Sequence, residues 1–141
     1  MKQVTIIGIG LIGGSFALDL KQHLPGVSIS GIDQNEAHLK DALKLGIIDQ
    51  VGVFNQLINA DLVVLAIPVN AAIRVLPEIL DLIADHTVVI DMGSTKDGIC
   101  NAVAFFTNLV PEVDESAHFA HFGDKADASV HEKGDAANDC G

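Results

Sequence analysis

The residues of this chain that could do chemistry sit at the ends of apolar runs. The first group is Gly8-Ile9-Gly10-Leu11-Ile12-Gly13, inside "VTIIGIGLIGGSF" at residues 4–16. Each glycine weakens regular structure by roughly 0.5–1 kcal/mol relative to alanine, so this density needs a reason. The spacing G-x-G-x-x-G, directly after an apolar strand and at the opening of a helix, supplies one. The first glycine permits a tight turn, the second lets backbone approach a pyrophosphate, and the third lets the helix pack close to the sheet. The free N–H groups and positive dipole end of the helix then face the phosphates. Asp33 lies 20 residues beyond Gly13, at the end of the next predicted strand. Its carboxylate suits the hydroxyls of an adenosine ribose and repels a 2′-phosphate. Gln34 follows it rather than arginine, which favours NAD over NADP.

Two further groups lie downstream. "AIPV", residues 66–69, closes an apolar run. Ile67 and Pro68 either line the cofactor crevice or simply end strand pairing, and both readings give the same backbone. "DMGSTKDG", residues 91–98, follows the next apolar run. Ser94 offers a hydroxyl near the nicotinamide position, or a helix N-cap. Lys96 offers a cation there, or a solvated charge.

These groups need a scaffold that brings strand ends together. Strands are predicted at 3–7, 27–33, 61–68 and 87–93, with a short one possible in "QVGVF". Helices are predicted at 11–23, 35–46, 70–85 and 97–109. Leu11, Phe16, Ala17 and Leu20 are available for the packed face of the first helix. Asn35 caps the second and Gly46 stops it. Pro77 either kinks the third or starts a new one. Alternating strands and helices with continuous apolar strands imply an α/β fold, a doubly wound parallel sheet covered on both faces.

The chain has 141 residues, which is one domain's worth, with 49% hydrophobic and 19% charged. Its net charge of −11 argues against a nucleic-acid groove or an anionic membrane surface as partner. No run reaches the length of a membrane span. The apolar start is broken by glycines and followed by Asp19 and Lys21, unlike a signal peptide. Two cysteines, Cys100 and Cys140, make no disulfide framework, which points to a reducing cytoplasm. Nothing suggests a metal site. Residues 1–111 are expected to form a dinucleotide-binding domain. Residues 112–141 carry eight acidic residues against two basic ones, with no Leu or Ile, and are expected to form a poorly ordered or loosely docked tail.

Taken together, "IIGIGLIGGSFA", "GID" ending at Asp33, "ADLVVLAIPV" and "VVIDMGSTK" resemble the nucleotide-binding domain of the prephenate/arogenate dehydrogenase family, over roughly residues 3–100. The resemblance implies a Rossmann-type NAD-binding fold and the oxidative decarboxylation of prephenate or arogenate in tyrosine biosynthesis. It also implies a catalytic histidine that accepts the hydrogen bond of the substrate carbinol, assisted by the serine matching Ser94. That histidine belongs to an H-P-x-A/F-G element. Here "AHFAHFGDK" puts His118 and His121 in the corresponding window. Neither precedes a proline, and Gly123 stands five residues after His118 and two after His121.

The family's helical domain, which supplies the dimer contact and the cations for the substrate carboxylates, has no counterpart in these residues. Arg74 is the only arginine. The chain is therefore expected to be the cofactor half of the enzyme with an altered or truncated end: a fragment, a frameshifted product, or a domain that works with a separate chain. Apolar surface around Phe105 and Phe106 would then favour self-association as a homodimer. A nucleotide-binding module without turnover, or another small NAD-dependent dehydrogenase or reductase, are the alternative functions.

Overall fold

Apolar runs without polar alternation make strands buried on both faces, and these runs build the centre of the sheet. A computed structural model describes residues 1–94, 98, 99 and 101, and the backbone of 119–121. Its strands are β1 (Gln3–Ile7), β2 (Ser28–Ile32), β3 (Gln50–Val51), β4 (Leu62–Leu65), β5 (Val88–Asp91) and β6 (Phe119–His121). They form one parallel sheet in the order β3-β2-β1-β4-β5-β6. Helices α1 (Leu11–His23), α2 (Glu36–Lys44) and α3 (Val69–Leu82) make the crossovers, and a 3₁₀ turn spans Phe54–Asn59. The chain winds outward from β1 to β3, then returns to the other side of β1 and continues through β4. That reversal opens a crevice at the carboxyl ends of β1 and β4.

Each face has its own core. Ala17 of α1 and Leu39 and Ala42 of α2 pack with Val4, Ile6, Ile29, Leu62 and Val64. On the opposite face, Ala72, Leu76 and Ile79 of α3 pack with Ile7, Val63, Leu65 and Val89, together with Leu57 and Ile99. Full burial of each Val, Leu or Ile among these stabilises by about 1.5–3 kcal/mol, and of each alanine by less.

Polar clamps fix the strand starts. Asp61 Oδ2 accepts the N–H groups of Lys2 (2.6 Å) and Gln3 (2.9 Å), joining the start of β1 to β4. Asp49 Oδ2 accepts the Ile29 N–H at 2.7 Å, while its Oδ1 takes Lys21 Nζ at 2.7 Å. The buried Thr87 hydroxyl donates to the Ala60 carbonyl at 2.7 Å.

The register puts Ile7 beside both Ile32 and Leu65, Leu65 beside Asp91, and Asp91 beside His121. These five residues form one row across the carboxyl edge. The glycine turn, Asp33, Ile67 and Ser94 all follow directly behind it.

Three expectations change. Leu11 is not part of the packed face of α1: it is 88% exposed, because Gly13, Gly14 and Ala17 bring the helix against the sheet further along. Pro77 starts no second helix. It lies inside α3, whose buried Ala72, Leu76 and Ile79 on either side of it hold one continuous rod. Phe54, read as the end of a possible strand, opens the 3₁₀ turn, so β3 stops at Val51. The strand β6 falls within the segment expected to be a poorly ordered or loosely docked tail. Edge pairing uses backbone groups, so the short sequence Phe119-Ala120-His121 joins β5 without an apolar run. The rest of 112–141 lies outside the described residues. So do Lys96, Cys100, Phe105 and Phe106. Of the predicted 97–109 helix, Gly98, Ile99 and Asn101 are helical.

Candidate active site at the carboxyl edge of the sheet

The glycine turn follows from sterics that the neighbouring strand imposes. Gly8 has φ +95°, a region L side chains rarely adopt. A Cβ at Gly8 would collide with the Ala66 carbonyl and come within 2.7 Å of Ile67 Cγ2. A Cβ at Gly13 would collide with the Gly8 carbonyl. Gly10 differs: a Cβ there would meet nothing within 4 Å. The first and third glycines are thus required by the fold, and the second faces open space, as a cradle for an external group requires.

Gly10 is the N-cap of α1, with no side-chain cap and no acidic residue in the first turn. The first helical N–H to close back is that of Gly14, onto the Gly10 carbonyl at 2.8 Å. The N–H groups of Leu11, Ile12 and Gly13 precede it and have no partner within a helix. Together with the helix dipole they suit a diphosphate. Leu11 and Ile12 point their side chains outward, at 88% and 56% exposure.

Asp33 lies at the end of β2, against the glycine turn. Its Oδ2 accepts the Ile9 N–H at 2.8 Å, and its Oδ1 accepts the Asn35 N–H at 2.8 Å. His38 Nδ1 lies 3.5 Å from Oδ2. Burial pushes the carboxyl pKa up, but the bonds from Asn35, Ile9 and His38 outweigh it and hold the pKa below the usual carboxylate range. An ionised carboxylate has about four acceptor positions, which leaves capacity for ribose hydroxyls. Asn35 meets its expectation as the cap of α2, its side chain accepting the Ala37 N–H at 2.9 Å.

Across the crevice, Ile67 leans on Gly8, and Pro68 is the N-cap residue from which α3 departs. Further along the edge, Asp91 is fully buried at the end of β5. A Cβ at Gly93 would come within 2.9 Å of Asp91 Oδ2 and 3.0 Å of Val69 Cγ2, so the chain passes closely over this carboxylate before exposing Ser94. His121 ends β6 in register with Asp91. His118 and the residues Ser94 would cap lie outside the described residues.

The structure therefore brings Gly8, Ile9, Gly10, Leu11, Ile12, Gly13, Asp33, Ile67, Pro68 and Ser94 to one edge. It adds Asn35, His38 and Asp91, which sequence reading does not assign to the site. Only Asp91 carries a signal, as the first residue of "DMGSTK". A cavity of about 290 Å³ lies elsewhere, lined by Gln3, Thr5, Ser30, Gln50, Gln56, Asn59 and Ala60. It has no charged group and does not touch the glycine turn. Among the described residues no cluster of His, Cys, Asp or Glu could hold a metal ion, and no helix is long and apolar enough to cross a membrane.

Comparison with known proteins agrees with this geometry. Residues 16–112 match the family described as prephenate dehydrogenase, nucleotide-binding domain. The prephenate dehydrogenase of Lactococcus lactis is 39% identical over 101 residues, covering 70% of this chain and 28% of that enzyme. That of Bacillus subtilis is 33% identical over 137 residues, covering 95% of this chain and 35% of that enzyme. The crystal structure of Aquifex aeolicus prephenate dehydrogenase, solved with hydroxyphenyl propionate and NAD+, superposes with a TM-score of 0.69 at 27% identity, over 86% of this chain and 41% of that one. The chain spans about a third of the length of the curated relatives it matches. The glycine turn, the strand order and the family match converge: the chain belongs to the prephenate dehydrogenase family, as its nucleotide-binding domain.

Proposed function

We propose that this chain binds NAD and forms the cofactor half of an enzyme that oxidatively decarboxylates prephenate or arogenate on the route to tyrosine. The observation that carries the reading is the Asp33 carboxylate, held beside the glycine turn by the Ile9 N–H and still able to accept ribose hydroxyls. Bound NAD would supply a nicotinamide carbon that takes up a hydride.

The residues of the chain have separable roles in this reading. The N–H groups of Leu11, Ile12 and Gly13 hold the diphosphate, and Gly8 and Gly10 keep side chains out of its way. Asp33 holds the adenosine ribose and, by charge, rejects a 2′-phosphate. Ile67 and Pro68 wall the crevice on the β4 side. Ser94 hydrogen-bonds near the nicotinamide and the substrate hydroxyl. Of the two candidate histidines, His121 acts as the base in this reading, and its position at the end of a strand on the edge that carries Ser94 supports this. It takes up the carbinol proton as hydride leaves the ring and carbon dioxide departs. It then returns that proton to the phenolic oxygen of the aromatised product. General-base assistance of this kind contributes about 10²–10⁴-fold. The cysteine usage supports a cytoplasmic setting.

A second reading keeps the nucleotide and drops turnover. It is favoured by a sole arginine, Arg74, that is exposed on α3 and leaves these residues few cations for the substrate carboxylates. Incubating the purified chain with NAD and prephenate separates the two. NADH formation supports the enzyme; saturable NAD binding without NADH supports the module.

A further inference from the structure

The NAD reading above leaves one group beside Asp33 without a role. His38 lies in the first turn of α2, with Nδ1 3.5 Å from Asp33 Oδ2 and its side chain 50% exposed against 14% for Asp33. Among the described residues, Asp33 is the one carboxylate within ion-pair distance of this ring. On the same helix, Glu36 pairs instead with Lys40 at 3.7 Å. The next residue after Asp33 is Gln34, which brings no charge.

The position matters for the sugar. A carboxylate that holds ribose hydroxyls stands where a 2′-phosphate would have to sit. With His38 neutral, Asp33 opposes that phosphate with a full negative charge. With His38 protonated, the Asp33 charge is offset and a cation with a solvent-facing edge stands beside the same spot. Imidazoles are the side chains that make this change between about pH 5 and 8.

We propose that His38 is a specificity-determining residue for the dinucleotide: its protonation sets how strongly the site rejects a 2′-phosphate, so preference for NAD over NADP is steep in mild alkali and shallow in mild acid. The phosphate itself changes charge near pH 6, which softens repulsion in any variant. The contribution of His38 is therefore read as a difference from a variant that cannot titrate.

The test is calorimetric titration of the whole chain with NAD+ and NADP+ at about pH 5.5 and about pH 8, for wild type, His38→Gln and His38→Lys. Between those pH values, the NADP-to-NAD ratio of Kd should fall about three- to fivefold further in wild type than in His38→Gln on going from the alkaline to the acid side, the scale of one partly exposed charge pair. His38→Lys should lower the ratio at the alkaline pH towards the acid value of wild type. Equal pH responses in wild type and His38→Gln, with NAD still bound, overturn this role of His38 and leave the NAD reading standing. Failure of both dinucleotides to bind at either pH overturns both.

Discussion

The Ile9 N–H donates to Asp33 Oδ2 across 2.8 Å, joining the middle of the glycine turn to the end of β2. One carboxylate therefore fixes the glycine loop and, in the function proposed above, also stands where the ribose would bind. A hydrogen bond to a charged group contributes about 1.5–3 kcal/mol, so the turn is shaped before any ligand arrives.

The glycines should separate by role. Gly10→Ala places its methyl in open space and should lower the melting temperature only slightly, as a poorer helix cap, while weakening NAD binding about tenfold or more. Gly13→Ala drives its methyl into the Gly8 carbonyl and should destabilise the fold by about 1–3 kcal/mol. Melting curves and NAD titrations of both variants check this. A Gly10→Ala protein that binds NAD normally would remove the diphosphate from this turn.

Asp49 should be a measurable acid-sensitive clamp. Burial raises its pKa, but Lys21 and the Ile29 N–H outweigh that and hold it below the usual range. Its contribution is therefore fully present above about pH 3.9, the unfolded aspartate value, and is lost as pH falls through the lower folded value. Asp49→Ala should cost about 1 kcal/mol at neutral pH, allowing for partial exposure. Urea denaturation across pH should show the deficit shrinking in acid; a deficit unchanged down to about pH 2 would refute the clamp.

Turnover should distinguish the histidines. If the chain oxidises prephenate, His121→Gln should lower kcat by about 10²–10⁴-fold and His118→Gln by far less. Ser94→Ala should reduce turnover more than NAD affinity. Initial rates of NADH formation provide the comparison, and equal losses at both histidines would return His121 to a purely structural place in β6.

Thr87→Val should cost about 1–2 kcal/mol in denaturant unfolding, because it leaves the buried Ala60 carbonyl without the Thr87 hydroxyl. A neutral substitution would mean that this clamp at the start of β5 adds nothing.

Much of the fold and of the cofactor site is legible in the amino-acid sequence. The apolar runs at 3–7 and 61–68 read as buried strands from their short length, β-branched residues and flanking Gly or Pro, and the spacing of Gly8, Gly10 and Gly13 against Asp33 marks the turn and its acid. What stays hidden depends on register. Nothing local in the sequence says that Asp33 reaches back to Ile9, that Asp61 collects the N–H groups of Lys2 and Gln3, or that Asp91 and His121 stand side by side. The strand β6 escapes sequence reading for a related reason. Its pairing comes from the free edge of β5, and its three residues lack the apolar periodicity by which strands are recognised. Leu11 misleads because helical periodicity ignores that the first turn of α1 projects past the sheet.

The most direct measurement is a calorimetric titration of NAD+ into the whole chain and into Asp33→Ala. The expected result is saturable binding at one site per chain, weakened by about 10–100-fold in the variant, the loss of one charge-assisted contact set. No binding to the wild type, or equal affinity in both proteins, would contradict the assignment of the glycine turn and Asp33 as the dinucleotide site.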